Sequence, residues 1–423
     1  MKKVLSLVLV ASLSMGLLAG CGKGSSSSTS SSAPKETKTI KIFQLKVEIK
    51  DQLAKMAQEY EKEKGVKLNI ETVGGGADYG AALISKFSSG DEPDIYNTTG
   101  YSDLDRVIDK TEPLTDQPWI KDMVAGAGDG VTKDGKVYGQ PQAIEGFGFA
   151  YNKALFDKAG ITKLPETLAD LEAACQKLQA AGIQPFSNSY AEWWVLGIHN
   201  VTVLLSQQKD PDKFISGIAA GTTKIKDNEV ADGWVKLLDL TKKYGQKNAF
   251  QTGDYKTSVT DFASGKAAMI QQGTWIQADI DKIDPNFKVG FLTMPTTDDA
   301  SKSKVFIGVP QYWCVSKNSK VKSEAKEFLN WLVTSKTGQN YIVNEFKFLP
   351  AFKTIEAANL APMNAAMNAY AKSGKTYTWQ FAKLPAGATN VIGDSMMKYV
   401  AGSLTKDQLF TGIEKAIIDK SKK

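Results

Sequence analysis

The sequence predicts an α/β protein, with a mostly parallel sheet and helices on its faces. Two observations carry that prediction. Strand and helix patterns alternate from Thr39 to Thr98, the signature of β-α-β units. The chain of 423 residues is 42% hydrophobic and 23% charged, an ordinary globular balance, and it is long enough for two domains of roughly 100–200 residues each.

The elements follow in order. "TIKIFQL" (Thr39–Leu45) reads as a strand, and Leu53, Met56, Ala57 and Tyr60 then recur at helical spacing. "VKLNIETV" (Val66–Val73) is a second strand; Tyr79, Leu83, Ile84 and Phe87 mark a helix; "PDIYNT" (Pro93–Thr98) is a third strand. Ligands of such sheets sit outside the carboxyl ends of the strands, and Asp94, Asn97 and Tyr101 lie at or just after one such end. The glycine-rich, low-charge run Gly139–Phe149 suits a strand that crosses between domains. Thr167 with Asp170 three residues later looks like a capping box, Leu168, Leu171, Ala174, Cys175 and Leu178 form one apolar face, and Gly182 closes that helix. The aromatic stretch from Asn188 to Asn200 reads as a loop that exposes Trp193 and Trp194. "FASGKAAMIQQGTW" (Phe262–Trp275) reads as a helix end, a strand and a loop, and "FKVGFLTMP" as another strand. "KVFIGVPQYWCVSKNSK" holds two short strands, and helices follow at Val321–Leu332 and Leu409–Ile417.

Charge type excludes several functions. Net charge is +6, yet of 52 basic residues only Arg106 is arginine, the side chain suited to bidentate carboxylate and phosphate recognition. Amino acids, phosphate, sulfate and nucleic acid are therefore poor candidates as ligands, and the lysines are scattered rather than striped. The one histidine, His199, cannot make a multi-histidine metal cluster and reads as structural, so no metal and no cofactor are expected. Cys175 and Cys314 sit in apolar contexts and read as buried thiols, with a disulfide left open. "VGGGADYG" (Val73–Gly80) lacks the Gly-Lys-Ser/Thr ending of a phosphate loop and reads as a glycine loop that lets backbone approach a ligand.

Residues 1–20 carry Lys2 and Lys3 before an apolar run, which is the pattern of a secretory signal peptide. "LLAGCG" (Leu17–Gly22) resembles a bacterial lipobox, which implies cleavage before Cys21 and lipid on its sulfur. Residues 21–38 then form a Ser-rich tether holding the protein at the extracellular face of the cell membrane.

"YNKALFDKAGI" with Pro165 and Thr167, "SSGDEPDIY", "YGQP", "FASGKAAMIQQGTW", "GVPQYWCVSKNSK" and "AKEFLNWLVTSKTGQNYI" occur in an order that resembles the extracellular carbohydrate-binding proteins of ABC importers, solute-binding protein family 1, maltose-binding-protein-like. The resemblance covers nearly the whole mature chain. It implies a two-lobed periplasmic-binding-protein-like fold (type II), with a hinge of crossing strands and a ligand cleft between the lobes. The first lobe would be residues 39–148 plus 305–351, and the second 149–304 plus 352–423. It implies no catalysis, a monomer, and delivery of a sugar, by its aromatics an oligosaccharide, to ABC transporter permease subunits.

A pyranose offers apolar C–H faces to aromatic rings and a rim of hydroxyls to planar polar groups. The resemblance places Trp275 on a sugar ring; the alternative is packing at a strand–helix junction. Trp313 lies where the chain returns near the hinge, with Tyr312 facing the other way. At least one of Trp193 and Trp194 should face ligand, and Trp379 sits in a polar, non-periodic stretch. Trp119, Trp234 and Trp331 read as structural. Glu145 keeps a six-residue spacing to Tyr151 that, by the resemblance, marks a sugar-binding carboxylate; the alternative is a hinge salt bridge with a lysine. Asn97, Tyr101, Asn188 and Glu192 are candidates by position, and Asp94 either binds ligand or caps the sheet. Two rivals are a binding protein for a cationic solute such as a polyamine, favoured by aromatics plus carboxylates, and a secreted glycosidase using Glu145 and Glu192.

Overall fold

The computed structural model describes residues 38–422. The signal-peptide, Cys21 and tether readings fall on residues 1–37, outside the described residues. Among the described residues no helix is long and apolar enough to cross a membrane.

Thirteen strands follow one another among the described residues. They are β1 (Thr39–Gln44), β2 (Lys67–Thr72), β3 (Ile95–Thr98), β4 (Thr132–Lys133), β5 (Lys136–Val137), β6 (Gln140–Pro141), β7 (Glu145–Asn152), β8 (Gln184–Ser187), β9 (Ala267–Gly273), β10 (Val289–Leu292), β11 (Val305–Gly308), β12 (Tyr312–Val315) and β13 (Thr376–Thr378). The first sheet runs β2-β1-β3-β12-β6. Its β1 pairs parallel with β2 and β3, as β-α-β units require, while the returning β12 is antiparallel. The second sheet runs β13-β11-β7-β9-β8. On β7, β9 occupies one edge, and β11 and β10 share the other.

Every residue of β7 is buried. A strand covered on both faces needs no polar alternation, which explains the apolar run "EGFGFAY". Gly146 is required by packing, because a Cβ there would run into the Met367 thioether. Each sheet has its own core. Ile42, Leu53, Tyr60, Phe328 and Trp331 cluster in the first lobe, and Phe149, Leu171, Phe186, Trp234 and Ile270 in the second. Cys175 and Cys314 are free, buried in different clusters, so the open disulfide question resolves against a bond.

The chain passes between lobes three times. The crossings lie between β6 and β7, between β11 and β12, and beyond Ile355, the last residue packed in the first-lobe core, before the helix Pro362–Lys372. These positions correct the lobe boundaries expected at 148/149, 304/305 and 351/352. Residues 145–148 and 305–308 pair within the second sheet, and Phe352 and Ile355 pack in the first core. Hydrophobic pattern finds strands but does not say which sheet they join.

Two local readings also change. The segment at Trp193 is helical, with a π-helical stretch at Val195–Asn200, because Val195, Leu196, His199 and Asn200 are all drawn into the second-lobe interior. Thr167 does cap its helix by accepting from Asp170 N at 3.0 Å, but Asp170 reaches back to Glu166 N, so the box is not reciprocal.

Candidate functional site

Both sheets turn one set of strand ends toward the interlobe space. In the first lobe β1 runs into Lys46 and Glu48, β2 into the glycine loop at Gly74–Gly76, and β3 toward Tyr101. In the second, β9 ends at Trp275, β13 at Trp379, and the antiparallel β7 begins at Glu145.

The second lobe gathers an aromatic group at this end. The His199 ring stacks on Phe147 at 4.6 Å and lies 4.9 Å from Trp275, 5.2 Å from Trp194 and 6.4 Å from Trp379. Trp194 also meets Trp275 at 6.4 Å and Tyr255 at 5.9 Å. Separations of 4.5–7 Å are those at which aromatic pairs attract, by about 0.5–1.5 kcal/mol beyond area burial. Polar groups lock the rings. Trp275 Nε1 donates to Gln272 at 3.0 Å, Trp194 Nε1 to Glu192 at 2.9 Å, and Tyr255 Oη to Asp279 at 2.9 Å. Burial pushes His199 down to about 3, so the imidazole is neutral near pH 7 and behaves as another ring.

At the hinge, Lys46 Nζ donates to Glu145 at 2.6 Å and to Glu48 at 3.1 Å, and lies 5.3 Å from the centre of the Phe348 ring. Burial would lower the Lys46 pKa, but the two carboxylates outweigh it and raise it. Burial raises the Glu145 carboxyl, and Lys46 only partly opposes that. Of the two readings of Glu145, the salt bridge with a lysine is what the structure contains. The partner comes from the other lobe, so the pair spans the hinge.

Trp193, Trp194, Trp275 and Trp379 all stand at the interlobe end of the second lobe, Trp193 donating to Gly76 O at 3.1 Å. Tyr101 reaches the interlobe boundary, where Lys383 lies 5.8 Å from its ring centre. The other candidates do not join them. Trp313 is packed in the first-lobe core and Tyr312 in a neighbouring cluster with Leu104 and Val131; their strand is covered on both faces, so alternation chose between two interiors. Asn97 is fully buried, accepting from Leu45 N at 3.2 Å and donating to Tyr312 O at 3.4 Å, so it ties three strands together. Asp94 precedes β3 and stands at its far end; it accepts from Lys41 N at 2.8 Å and Ser319 Oγ at 2.6 Å, which is the sheet-capping alternative. Asn188 is buried against Thr241 and Gln246 within the second lobe. Sequence reasoning missed Lys46, Glu48, Tyr255 and Asp279. The first two directly follow a strand's carboxyl end, the signal that nominated Asn97; Tyr255 and Asp279 carry no such signal.

Two α/β lobes, each built on its own sheet and joined where the chain crosses between them, make up the fold. The chain belongs to the family of bacterial extracellular solute-binding proteins, whose model matches residues 46–339. It is similar to the melibiose/raffinose/stachyose-binding protein MelE of Bacillus subtilis (strain 168), 26% identical over 334 residues that span 77% of this chain and 76% of that one. It is also similar to the maltooligosaccharide ABC transporter solute-binding lipoprotein of Streptococcus pneumoniae (strain ATCC BAA-255 / R6), 28% identical over 371 residues, 82% and 79% of the two chains. Among solved structures, RafE in complex with raffinose superposes with a TM-score of 0.78 at 23% identity, covering 91% of this chain and all of that one. These relatives are named for binding, and the fold expected from the sequence is the fold observed.

Proposed function

We propose that this chain captures a neutral oligosaccharide in the interlobe cleft and delivers it to the permease of an ABC transporter, held at the outer membrane face by lipid on Cys21. The carrying observation is the one-sided cluster of Trp194, Trp275, Trp379 and His199. Rings offer faces to sugar C–H groups, while Glu145, Glu192 and Asp279 at their edge accept from hydroxyls. The names of the sugar-binding relatives support the same ligand class. Closure would follow from contacts that the guest makes only in the shut form, since a ligand shifts an equilibrium only by its differential affinity.

Calorimetry with the raffinose series, maltooligosaccharides and polyamines tests the ligand. The expected result is binding of at least one neutral series. Trp275→Ala should weaken it tenfold or more, about 1.4 kcal/mol. Failure of every sugar overturns the proposal. Three carboxylates, Glu48, Glu145 and Asp279, against two cations, Lys46 and Lys282, favour a cationic solute as the second reading; heat with a polyamine alone would select it. The anchor is tested by Cys21→Ser, which should release the protein from the membrane fraction.

A further inference from the structure

Trp194 and His199 are five residues apart in one helix, yet their rings meet at 5.2 Å. A regular α-helix does not bring such residues together. It turns about 100° per residue, so five residues end about 140° away, toward the opposite face. The π-helical stretch Val195–Asn200 removes the discrepancy, because its wider turn bonds i to i+5 and returns the chain to one face. The first lobe shows the same relation in its core. Along the π-helical stretch Tyr341–Glu345, Phe346 N donates to Tyr341 O at 2.8 Å, and those two rings meet at 5.6 Å.

The stretch is fixed by groups around it. Asn200 Nδ2 donates to Val195 O at 3.1 Å and to Gln271 Oε1 at 2.9 Å, and Asn200 O accepts from Trp234 Nε1 at 2.8 Å. Gly197 is pressed onto the helix Ala388–Val400, where a Cβ would stand 2.1 Å from Thr389 O. An uncommon turn held by this many partners marks a constraint on function. Its product is the place of His199, which stacks on Phe147 of the buried β7 at 4.6 Å and adjoins Trp275 at 4.9 Å and Trp194 at 5.2 Å. The two indoles are themselves 6.4 Å apart. His199 Nδ1 is enclosed without a hydrogen-bond partner, so packing of the ring, and no bond through that nitrogen, holds it there.

We propose that His199 is a positioning residue: the π turn wedges its ring between the β7 core and the indoles, and so fixes Trp194 against Trp275 as one two-ring surface. A guest is then read across both rings together, which favours an oligosaccharide over a monosaccharide. This rests on the cleft reading, but the indole arrangement is measurable without any guest.

The test uses the full mature chain. Trp194→Phe should remove a component of the near-ultraviolet circular dichroism of sugar-free protein, the signature of the fixed indole pair. His199→Ala should lose the same component, and His199→Phe, which keeps a flat ring, should retain it. Far-ultraviolet spectra confirm folding, and His199→Leu replaces His199→Ala should the latter not fold. Calorimetry then compares the longest oligosaccharide that binds with its shortest binding fragment. His199→Ala should weaken the long guest about tenfold or more and the short one less than about threefold, with His199→Phe within about twofold of the unmodified protein for both. No spectral change in Trp194→Phe, or a retained component in His199→Ala, overturns the assignment whatever the ligand proves to be. Equal losses for long and short guests overturn it too, as does a loss in His199→Phe that matches His199→Ala, which would make a ring nitrogen the partner of the guest. If no sugar binds the unmodified protein, the cleft reading fails, and the spectra alone decide the positioning role.

Discussion

The two lobes use tryptophan differently. In the first lobe Trp119, Trp313 and Trp331 are all buried in the core, and the interlobe surface is made by a lysine, a carboxylate and a glycine loop. In the second lobe only Trp234 is fully buried in the core, and four indoles stand at the interlobe end. On the function proposed above, the second lobe would offer ring edges to a guest and the first small and polar groups, a division that suits capture because rigid rings lose little entropy on meeting a guest.

The hinge gives the largest expected break in this comparison. Lys46→Met leaves Glu145 buried without its cation, and removing one partner of a buried pair costs about 3–5 kcal/mol. Urea denaturation should show that loss. Replacing the pair together, Lys46→Met with Glu145→Gln, should recover much of it, and no recovery would break the hinge assignment. Next comes the contrast between indoles. Trp313→Ala should cost about 3–5 kcal/mol of stability as a core truncation, with the affinity of the folded protein retained. Trp275→Ala should lose at least tenfold in affinity. Equal affinity losses in the two variants would erase the difference between the lobes.

A smaller effect concerns pH. His199 has its folded pKa depressed from 6.5 to about 3, so below the unfolded value the unfolded chain takes a proton that the folded one does not. Stability contributed by the neutral ring is full above pH 6.5 and falls between 6.5 and about 3, with a slope of about 1.4 kcal/mol per pH unit. His199→Phe should remove that component from the difference between the two denaturation profiles. The smallest effect is at the far end of the first sheet. Asp94→Ala loses two hydrogen bonds, about 1–2 kcal/mol, and should leave ligand affinity unchanged.

The sequence was most legible where chemistry is local. The alternation from Thr39 to Thr98 yields parallel β1, β2 and β3, and Thr167 caps the helix that it should. It was least legible at strands covered on both faces. On β12, Tyr312 and Trp313 face opposite ways as expected, but both directions lead inward, so alternation could not separate core from cleft. At Trp193 the aromatic density was read as an exposed loop, whereas the segment is helical and its interior positions are filled by His199 and Leu196.

The sequence by itself therefore determined the α/β class, the run of strands and helices, and the concentration of indoles in the later part of the chain, because periodicity and composition act within a few residues. Tertiary structure decided which indoles are interior, that Lys46 meets Glu145 across 99 positions of chain, and that Gly76 meets Trp193 across 117. Those pairings depend on how the two lobes are brought together, and no local pattern encodes that distance.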